Sequence, residues 1–134
     1  SAIWRRFQTV IEMPKPELAE VASMIKNMPE FIDVSQIKPG QWKKVYDALL
    51  GLSYSDIKNI LNNMVKKLVL KDENKVKFTD ILVEAYLFKN HGNYTMEQMV
   101  QYMIDHGVSQ KQASLYFNVS TRQIKNCLER SEKN

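Results

Sequence analysis

The segment from Gly107 to Arg130 constrains the fold of this chain more than any other. Its sequence, GVSQKQASLYFNVSTRQIKNCLER, predicts two short helices joined by a tight turn. Ser109 and Ser120 each precede a helix, where a serine hydroxyl can accept a hydrogen bond from the first turn. Asn118 and Val119 interrupt the helical pattern, and the apolar Val119 indicates a packed turn rather than a solvated loop.

The second of these helices, predicted from about Thr121 to Arg130, has an apolar side and a polar side. Ile124, Cys127 and Leu128 are spaced i, i+3 and i+4, so they are predicted to face inward. The opposite side carries groups suited to phosphates and base edges. These residues are Arg122, Lys125, Asn126 and Glu129, flanked by Thr121 and Gln123.

This segment resembles the homeodomain-like helix-turn-helix units of bacterial resolvases and sporulation-type regulators. The resemblance rests on Ala113-Ser114, on Phe117-Asn118-Val119-Ser120 and on Ile124. Many such units have glycine where Asn118 stands, and asparagine is a substitute that also tolerates a left-handed backbone. The resemblance implies that the second helix binds in the major groove of double-stranded DNA.

The residues of this unit that are predicted to contact DNA are Lys111, Ser120, Thr121, Arg122, Gln123, Lys125 and Asn126. Arg122, Gln123 and Asn126 are the predicted base contacts, because arginine can bind guanine and an amide can bind adenine through two hydrogen bonds. Thr121 and Lys125 are predicted to contact phosphates.

A second informative segment, LSYSDIKNILNNMVKKLVLKDENKVKFTD, extends from Leu52 to Asp80. Ser53 or Ser55 can cap a helix within it. The predicted inner face of this helix is Ile57, Ile60, Leu61, Met64 and Val65, continuing to Leu68, and the outer face is Lys58, Asn59, Asn62, Asn63 and Lys66. The β-prone runs 68–71 and 75–78 flank Asp72-Glu73-Asn74 and predict a β-hairpin.

Three helices followed by a hairpin is the order of elements in a winged helix. Over about residues 16–80 the sequence resembles winged helix-turn-helix regulators, through Leu50-Gly51-Leu52-Ser53, Ile57, Ile60-Leu61 and Val69-Leu70-Lys71. It departs at Asp47, where those families usually have a small apolar residue. The resemblance implies DNA contacts from Ser55, Lys58, Asn59 and Asn62 on the helix and from Lys71 and Lys75 on the wing.

The remaining apolar patterns predict helices over residues 16–28, 41–50, 81–90 and 95–106, with Thr79-Asp80 capping the third and Thr95 the fourth. Residues 31–34 fit a brief strand. Residues 1–15 fit a helical stripe and an alternating strand equally well, and Arg5-Arg6 is either a phosphate contact or a solvated pair. We expect a mainly α fold, in which a winged helix (residues 1–80, three helices plus a β-hairpin) is docked to a multi-helix homeodomain-like unit (residues 81–134).

The sequence has no arrangement typical of a catalytic, metal or cofactor site, so we expect neither an enzyme nor a cofactor. His91 and His106 each stand beside a helix-ending glycine, where an imidazole near free carbonyls has a structural use. The single cysteine, Cys127, is expected to be a small core residue. Five of the seven methionines fall on predicted inner helix faces, which favours core filling over a soft partner-binding groove.

The formal net charge of +4 permits nucleic-acid binding without establishing it. Residues 39–94 hold most of the excess, with nine basic residues against six acidic ones. No apolar run approaches the roughly 20 residues that span a bilayer. A chain with one cysteine forms no internal disulfide, which fits a reducing cytoplasm. We therefore expect a cytoplasmic, nucleoid-associated protein.

These observations predict a sequence-specific double-stranded DNA-binding protein, acting as a transcriptional regulator in a bacterium, plasmid or phage. The alternative from another class is a winged-helix adaptor that binds a protein, or an accessory factor in replication, segregation or mobile-element transfer. The expected partner is duplex DNA, and a homodimer or another protein is left open. Neither a membrane nor a small-molecule substrate is expected.

Overall fold

The computed structural model describes residues 15–133 of the 134-residue chain. This part forms seven helices: α1 (Leu18–Lys26), α2 (Pro39–Leu49), α3 (Tyr54–Leu70), α4 (Phe78–Lys89), α5 (Met96–Asp105), α6 (Gln110–Phe117) and α7 (Thr121–Lys133). The predicted mainly α character is confirmed. None of the described helices combines the length and apolar character needed to span a lipid bilayer. The predictions for residues 1–14, including Arg5-Arg6, lie outside the described residues.

Four helices begin at the hydroxyl-bearing residue that the sequence predicts. The Oγ of Ser53, Ser109 and Ser120 and the Oγ1 of Thr95 each accept a hydrogen bond from the backbone N–H three residues later, at 3.1–3.2 Å. The side chain of that later residue in turn accepts from the backbone N–H of the capping residue. Such reciprocal boxes satisfy N–H groups that the first helical turn would otherwise leave unpaired. Ser53, rather than Ser55, is the cap of α3.

The predicted β-hairpin of a wing is wrong. Leu68, Val69 and Leu70 belong to the last turn of α3, because Leu68 continues the helical spacing of the buried Met64 and is itself 4% exposed. The helix ends at Lys71, after which Asp72 takes a left-handed backbone with φ of 56°. The N–H of Glu73 then donates to the carbonyl of Leu68 at 2.9 Å, which closes the helix end as a turn.

The strand predicted at residues 31–34 is reduced to one isolated parallel bridge between Asp33 and Lys75. The N–H of Asp33 donates to the carbonyl of Asn74 at 2.7 Å, and the N–H of Val76 donates to the carbonyl of Asp33 at 2.8 Å. Val76 is fully buried beside this bridge. The apolar residue that suggested a second hairpin strand therefore anchors the α3–α4 loop in the core.

The helix predicted from Ile81 begins three residues earlier, at Phe78, so Thr79 and Asp80 lie inside its first turn and are not its N-cap. The residue before it is Lys77, whose backbone N–H donates to the carboxylate of Asp80 at 2.9 Å. Phe78 and Thr79 are both buried. The start moves because Phe78, read as part of a strand, supplies a core side chain to the first turn of the helix.

Helix α4 lies at the centre of the described structure and packs against α2, α3 and α5. Ile81, Leu82 and Ala85 are fully buried, and the buried residues from α1 to α7 form one contiguous hydrophobic cluster. The predicted domain boundary at residues 80 and 81 falls inside the first turn of this helix. Helix α4 therefore connects the helices before it in the chain with those after it.

Polar bonds also join the first three helices to the rest of the chain. The ammonium group of Lys67 lies 2.9 Å from a carboxylate oxygen of Glu84, whose side chain is 9% exposed. Lys44 donates to the carbonyl of Gly107 at 3.0 Å. Gly107 has a φ of +86°, a conformation that favours glycine.

Tyr102 of α5 packs its ring between Tyr86 of α4 and His106, with ring centroids 4.6 and 4.0 Å away. Its hydroxyl is buried and makes no hydrogen bond within the described structure. Burial, with a smaller contribution from the neighbouring Tyr86, raises the pKa of Tyr102 to about 12. The position therefore combines favourable ring packing with an unsatisfied polar atom.

We predict that Tyr102→Phe raises the free energy of unfolding at neutral pH by about 1 kcal/mol, because the ring contacts stay and the unpaired hydroxyl is removed. The variant should also lose less stability in alkali. The folded pKa lies above the value of about 10 expected for an unfolded tyrosine, so the native state keeps a proton that the unfolded chain releases. Stability of the parent protein should therefore fall as pH rises from about 10 to about 12.

Urea denaturation followed by circular dichroism, repeated from neutral to alkaline pH, measures both effects. Tyr94→Phe is the matched control, because Tyr94 is 49% exposed. This variant should change the free energy of unfolding at neutral pH by less than about 0.5 kcal/mol. A Tyr102→Phe protein that is markedly less stable than the parent would show that the hydroxyl has a partner.

Candidate nucleic-acid interface

The turn between α6 and α7 has the geometry that its sequence predicts. Asn118 ends α6 in a left-handed conformation, with φ of 55° and ψ of 47°. The N–H of the next residue, Val119, donates to the carbonyl of Ser114 at 3.0 Å. Val119 is half-buried and packs against the core. The turn is therefore closed by hydrogen bonds and anchored by an apolar side chain.

Small residues on α6 allow α7 to approach it. Ala113 is fully buried and Ser114 is 8% exposed, and α6 packs against both α5 and α7. The hydroxyl of Ser114 donates to the carbonyl of Lys111 within its own helix, at 2.7 Å, so this buried polar group has a partner. The three helices α5, α6 and α7 thus pack against one another around these two residues.

Helix α7 buries the apolar side that the sequence predicts. Ile124 is fully buried, Cys127 is 2% exposed and Leu128 is half-buried against the core. Because a helix turns by 3.6 residues, burial of these positions turns the opposite side toward solvent. The exposed residues of this helix include Thr121, Arg122, Gln123, Lys125, Asn126 and Glu129.

Gln123 and Ser120 share a structural task at the start of α7. The side-chain oxygen of Gln123 accepts from the N–H of Ser120 at 2.9 Å, and the Ser120 hydroxyl accepts from the N–H of Gln123 at 3.2 Å. A glutamine bound to adenine uses both its oxygen and its nitrogen. A base contact by Gln123 therefore requires this cap to open, whereas Arg122 and Asn126 have no such conflict among the bonds of the described structure.

Arg130 has a role that the sequence analysis missed. Its guanidinium lies 3.2 Å from a carboxylate oxygen of Glu97, which belongs to α5, and donates to the sulfur of Cys127 at 3.4 Å. The pair joins the C-terminal part of α7 to α5, and no local pattern signals it because Glu97 is distant in sequence.

The candidate contacts of the first half are exposed but are arranged differently from a winged helix. Ser55, Lys58, Asn59 and Asn62 lie on the solvent side of α3. Lys71 and Lys75 are exposed in the loop that joins α3 to α4, not on a pair of strands. Lys111, the remaining predicted contact, is exposed on α6. The structure therefore presents every predicted contact to solvent, without the ribbon that a wing would insert along DNA.

Lys71 and residues of α6 line the same pocket, which has a volume of about 300 Å³. Lys38, Lys71 and Lys77 line it together with Glu73 and Asp80, and Gln112, Leu115 and Tyr116 of α6 form its other wall. Burial is the largest influence on Asp80 and raises the pKa of its carboxyl, while the Lys77 backbone N–H acts in the opposite direction. The lining of this pocket thus carries both positively and negatively charged side chains.

His106 has the structural surroundings predicted for it. The Nδ1 of His106 lies 2.8 Å from the carbonyl of Tyr102 at the end of α5, and His91 takes a left-handed turn after α4. Cys127 is a buried free thiol. No group of three or more histidine, cysteine, aspartate or glutamate side chains that could hold a metal ion occurs between residues 15 and 133.

Comparison with known proteins finds no match: no family model fits the chain, and no curated protein or solved structure is similar to it.

We predict that Asn118→Val destabilises the protein by about 1–2 kcal/mol, because a β-branched residue is strained at a positive φ. Asn118→Gly should stay within about 0.5 kcal/mol of the parent, since glycine adopts this conformation without strain. Urea denaturation measures the difference between the two variants. Equal stability of the valine and glycine variants would mean that the turn does not need a left-handed residue.

Proposed function

We propose that this protein binds double-stranded DNA sequence-specifically and acts as a transcriptional regulator, with α7 lying in the major groove. The observation that carries the proposal is the exposed row of Arg122, Lys125 and Asn126 on a helix whose other side is fixed in the core by Ile124 and Cys127. These are the side chains that bind base edges and phosphates best, presented on one surface of one helix.

The exposed side chains of α7 suit two kinds of DNA contact, one with base edges and one with the phosphate backbone. Arg122 can donate two hydrogen bonds to guanine, and Asn126, one turn later, can pair with adenine. Lys125 lies between them on the helix, and Thr121 precedes them at its first residue, so both suit phosphates on either side of the groove. The exposed Lys111 on α6 adds a further phosphate contact, as the first helix of such a pair crosses the backbone.

The way α7 is held supports a role in recognition. Its N-terminus is closed by the Ser120–Gln123 box, and Arg130 ties it to Glu97 of α5. A side chain that binds a base must be positioned closely, and a helix fixed by its neighbours loses less freedom on binding than a loop would. DNA in a bacterial nucleoid is the proposed partner, and we propose no catalytic activity.

The mixed charge around α7 implies moderate affinity. Glu129 lies on the same exposed side as Lys125, and the whole chain carries a formal net charge of only +4. If Lys111 and Lys125 each neutralise a phosphate, log Kd should depend on log salt concentration with a slope of about 2.

We predict that Arg122→Ala and Asn126→Ala each weaken binding to a preferred duplex by about 1–3 kcal/mol and relax the preference at one base pair. Lys125→Ala should weaken binding to all duplexes alike and reduce the salt slope by about 1. Fluorescence anisotropy over a series of salt concentrations measures all three. Lys43→Ala is the matched control, because Lys43 is an exposed helical lysine on α2.

The control variant should bind like the parent apart from a small general effect of charge. Circular dichroism should show that every variant keeps its helices. If Arg122→Ala and Asn126→Ala both bind DNA like the parent, α7 is not the helix that contacts DNA. The absence of any duplex binding at low salt would instead favour the adaptor role.

A further inference from the structure

The solvent side of α3 is one wall of a groove that the DNA proposal does not use. Lys58, Leu61, Asn62, Val65 and Lys66 recur at the spacing of a single helical stripe and form this wall. The opposite wall comes from α1 and the residues just after it, where Met24 and Met28 are half-buried. The groove has a volume of about 540 Å³.

The floor of the groove is apolar and adaptable. Leu61 is 4% exposed, and Val65, Met24 and Met28 are partly exposed along it. Methionine is flexible and polarisable, and surfaces that bind apolar side chains of partner proteins often use it. Met28, which the sequence analysis placed on an inner helix face, therefore packs against the core and also lines the groove.

The rim of the groove has one sign of charge. Lys58 and Lys66 are both exposed and stand two helical turns apart along α3, and Asn27 and Asn62 also line the groove. The described residues that line the groove include no carboxylate. An occupant must therefore bring apolar side chains for the floor and negative charge for the rim.

We propose that this groove is the docking site for an acidic amphipathic helix of a partner protein. The stripe from Lys58 to Lys66 spans eight helical steps, or about 12 Å, which accommodates about two turns of a docked helix. Apolar side chains spaced i, i+3 or i+4 on that helix would enter the groove between α1 and α3. Glutamate or aspartate on its flanks would pair with Lys58 and Lys66.

This surface suits a protein better than it suits DNA. Phosphates would pair with the two lysines, but they would leave the apolar floor of Met24, Met28 and Val65 facing water or a charged backbone. An acidic helix covers the floor and neutralises the rim together. The proposal does not depend on α7, so an α7 that fails to bind DNA would leave it intact.

The test uses the full chain and a fluorescein-labelled synthetic helix with leucine and phenylalanine on one face and glutamate on the flanks. Two control probes have the same composition in scrambled order, and the same apolar face with lysine in place of glutamate. Anisotropy should show micromolar binding of the acidic amphipathic probe and at least about tenfold weaker binding of both controls.

Variants of the rim and the floor locate the site. Lys66→Glu should weaken binding of the acidic probe by about tenfold. The double variant Lys58→Glu with Lys66→Glu should bind the lysine-bearing probe more tightly than the acidic one. Lys43→Glu is the matched control for charge reversal and should bind like the parent. Met24→Gln with Met28→Gln keeps side-chain length and should weaken every amphipathic probe several-fold, with helicity unchanged.

Four results would overturn the proposal. The first is a scrambled probe that binds as well as the amphipathic one, and the second is a Lys66→Glu variant that binds the acidic probe as well as the parent does. A loss of duplex binding in Lys66→Glu equal to that in Arg122→Ala would assign the α3 lysines to DNA phosphates instead. Concentration-dependent dimerisation abolished by Met24→Gln with Met28→Gln would place a second copy of the chain in the groove.

Discussion

Burial of Ile124 and Cys127 is the constraint on which the orientation of α7 depends. Each apolar side chain removed from water contributes about 1.5–3 kcal/mol, so rotating the helix to expose them would cost several kcal/mol. The left-handed residue Asn118 sets the direction in which the chain leaves α6, and the Ser120–Gln123 box sets where α7 begins. Together these features present Arg122, Lys125 and Asn126 to solvent on a helix that cannot easily turn them inward.

Helix α4 connects this surface to the rest of the molecule. It packs against α2, α3 and α5, and the buried residues form one cluster without a polar layer between the two halves. The bond from Lys44 to the carbonyl of Gly107 adds a direct link from α2 to the loop before α6. The proposed DNA surface on α7 and the proposed protein-docking groove between α1 and α3 are therefore connected through one hydrophobic core.

The sequence predicts helices well here because capping and 3.6-residue spacing are local. Ser53, Thr95, Ser109 and Ser120 each mark a true helix start, and the exposed side of α7 follows from the spacing of Ile124 and Cys127. The prediction of a β-hairpin was wrong because Leu68–Leu70 fits a strand by composition. In the structure these residues extend α3, since Leu68 packs in the core. The groove and the Arg130–Glu97 pair were not predictable, since each needs two helices distant in sequence to meet at a known angle.

The central claim is that the exposed side of α7 is the surface that touches DNA. The most direct measurement is a nitrogen-15 NMR titration of the full chain with a mixed-sequence duplex at low salt, in which non-specific binding is strong enough to observe. We expect chemical-shift changes concentrated at the amides of residues 120–129 and near Lys111, and we expect them to disappear as salt is raised. A spectrum that does not change, or changes confined to the stripe of α3 from Lys58 to Lys66, would contradict it.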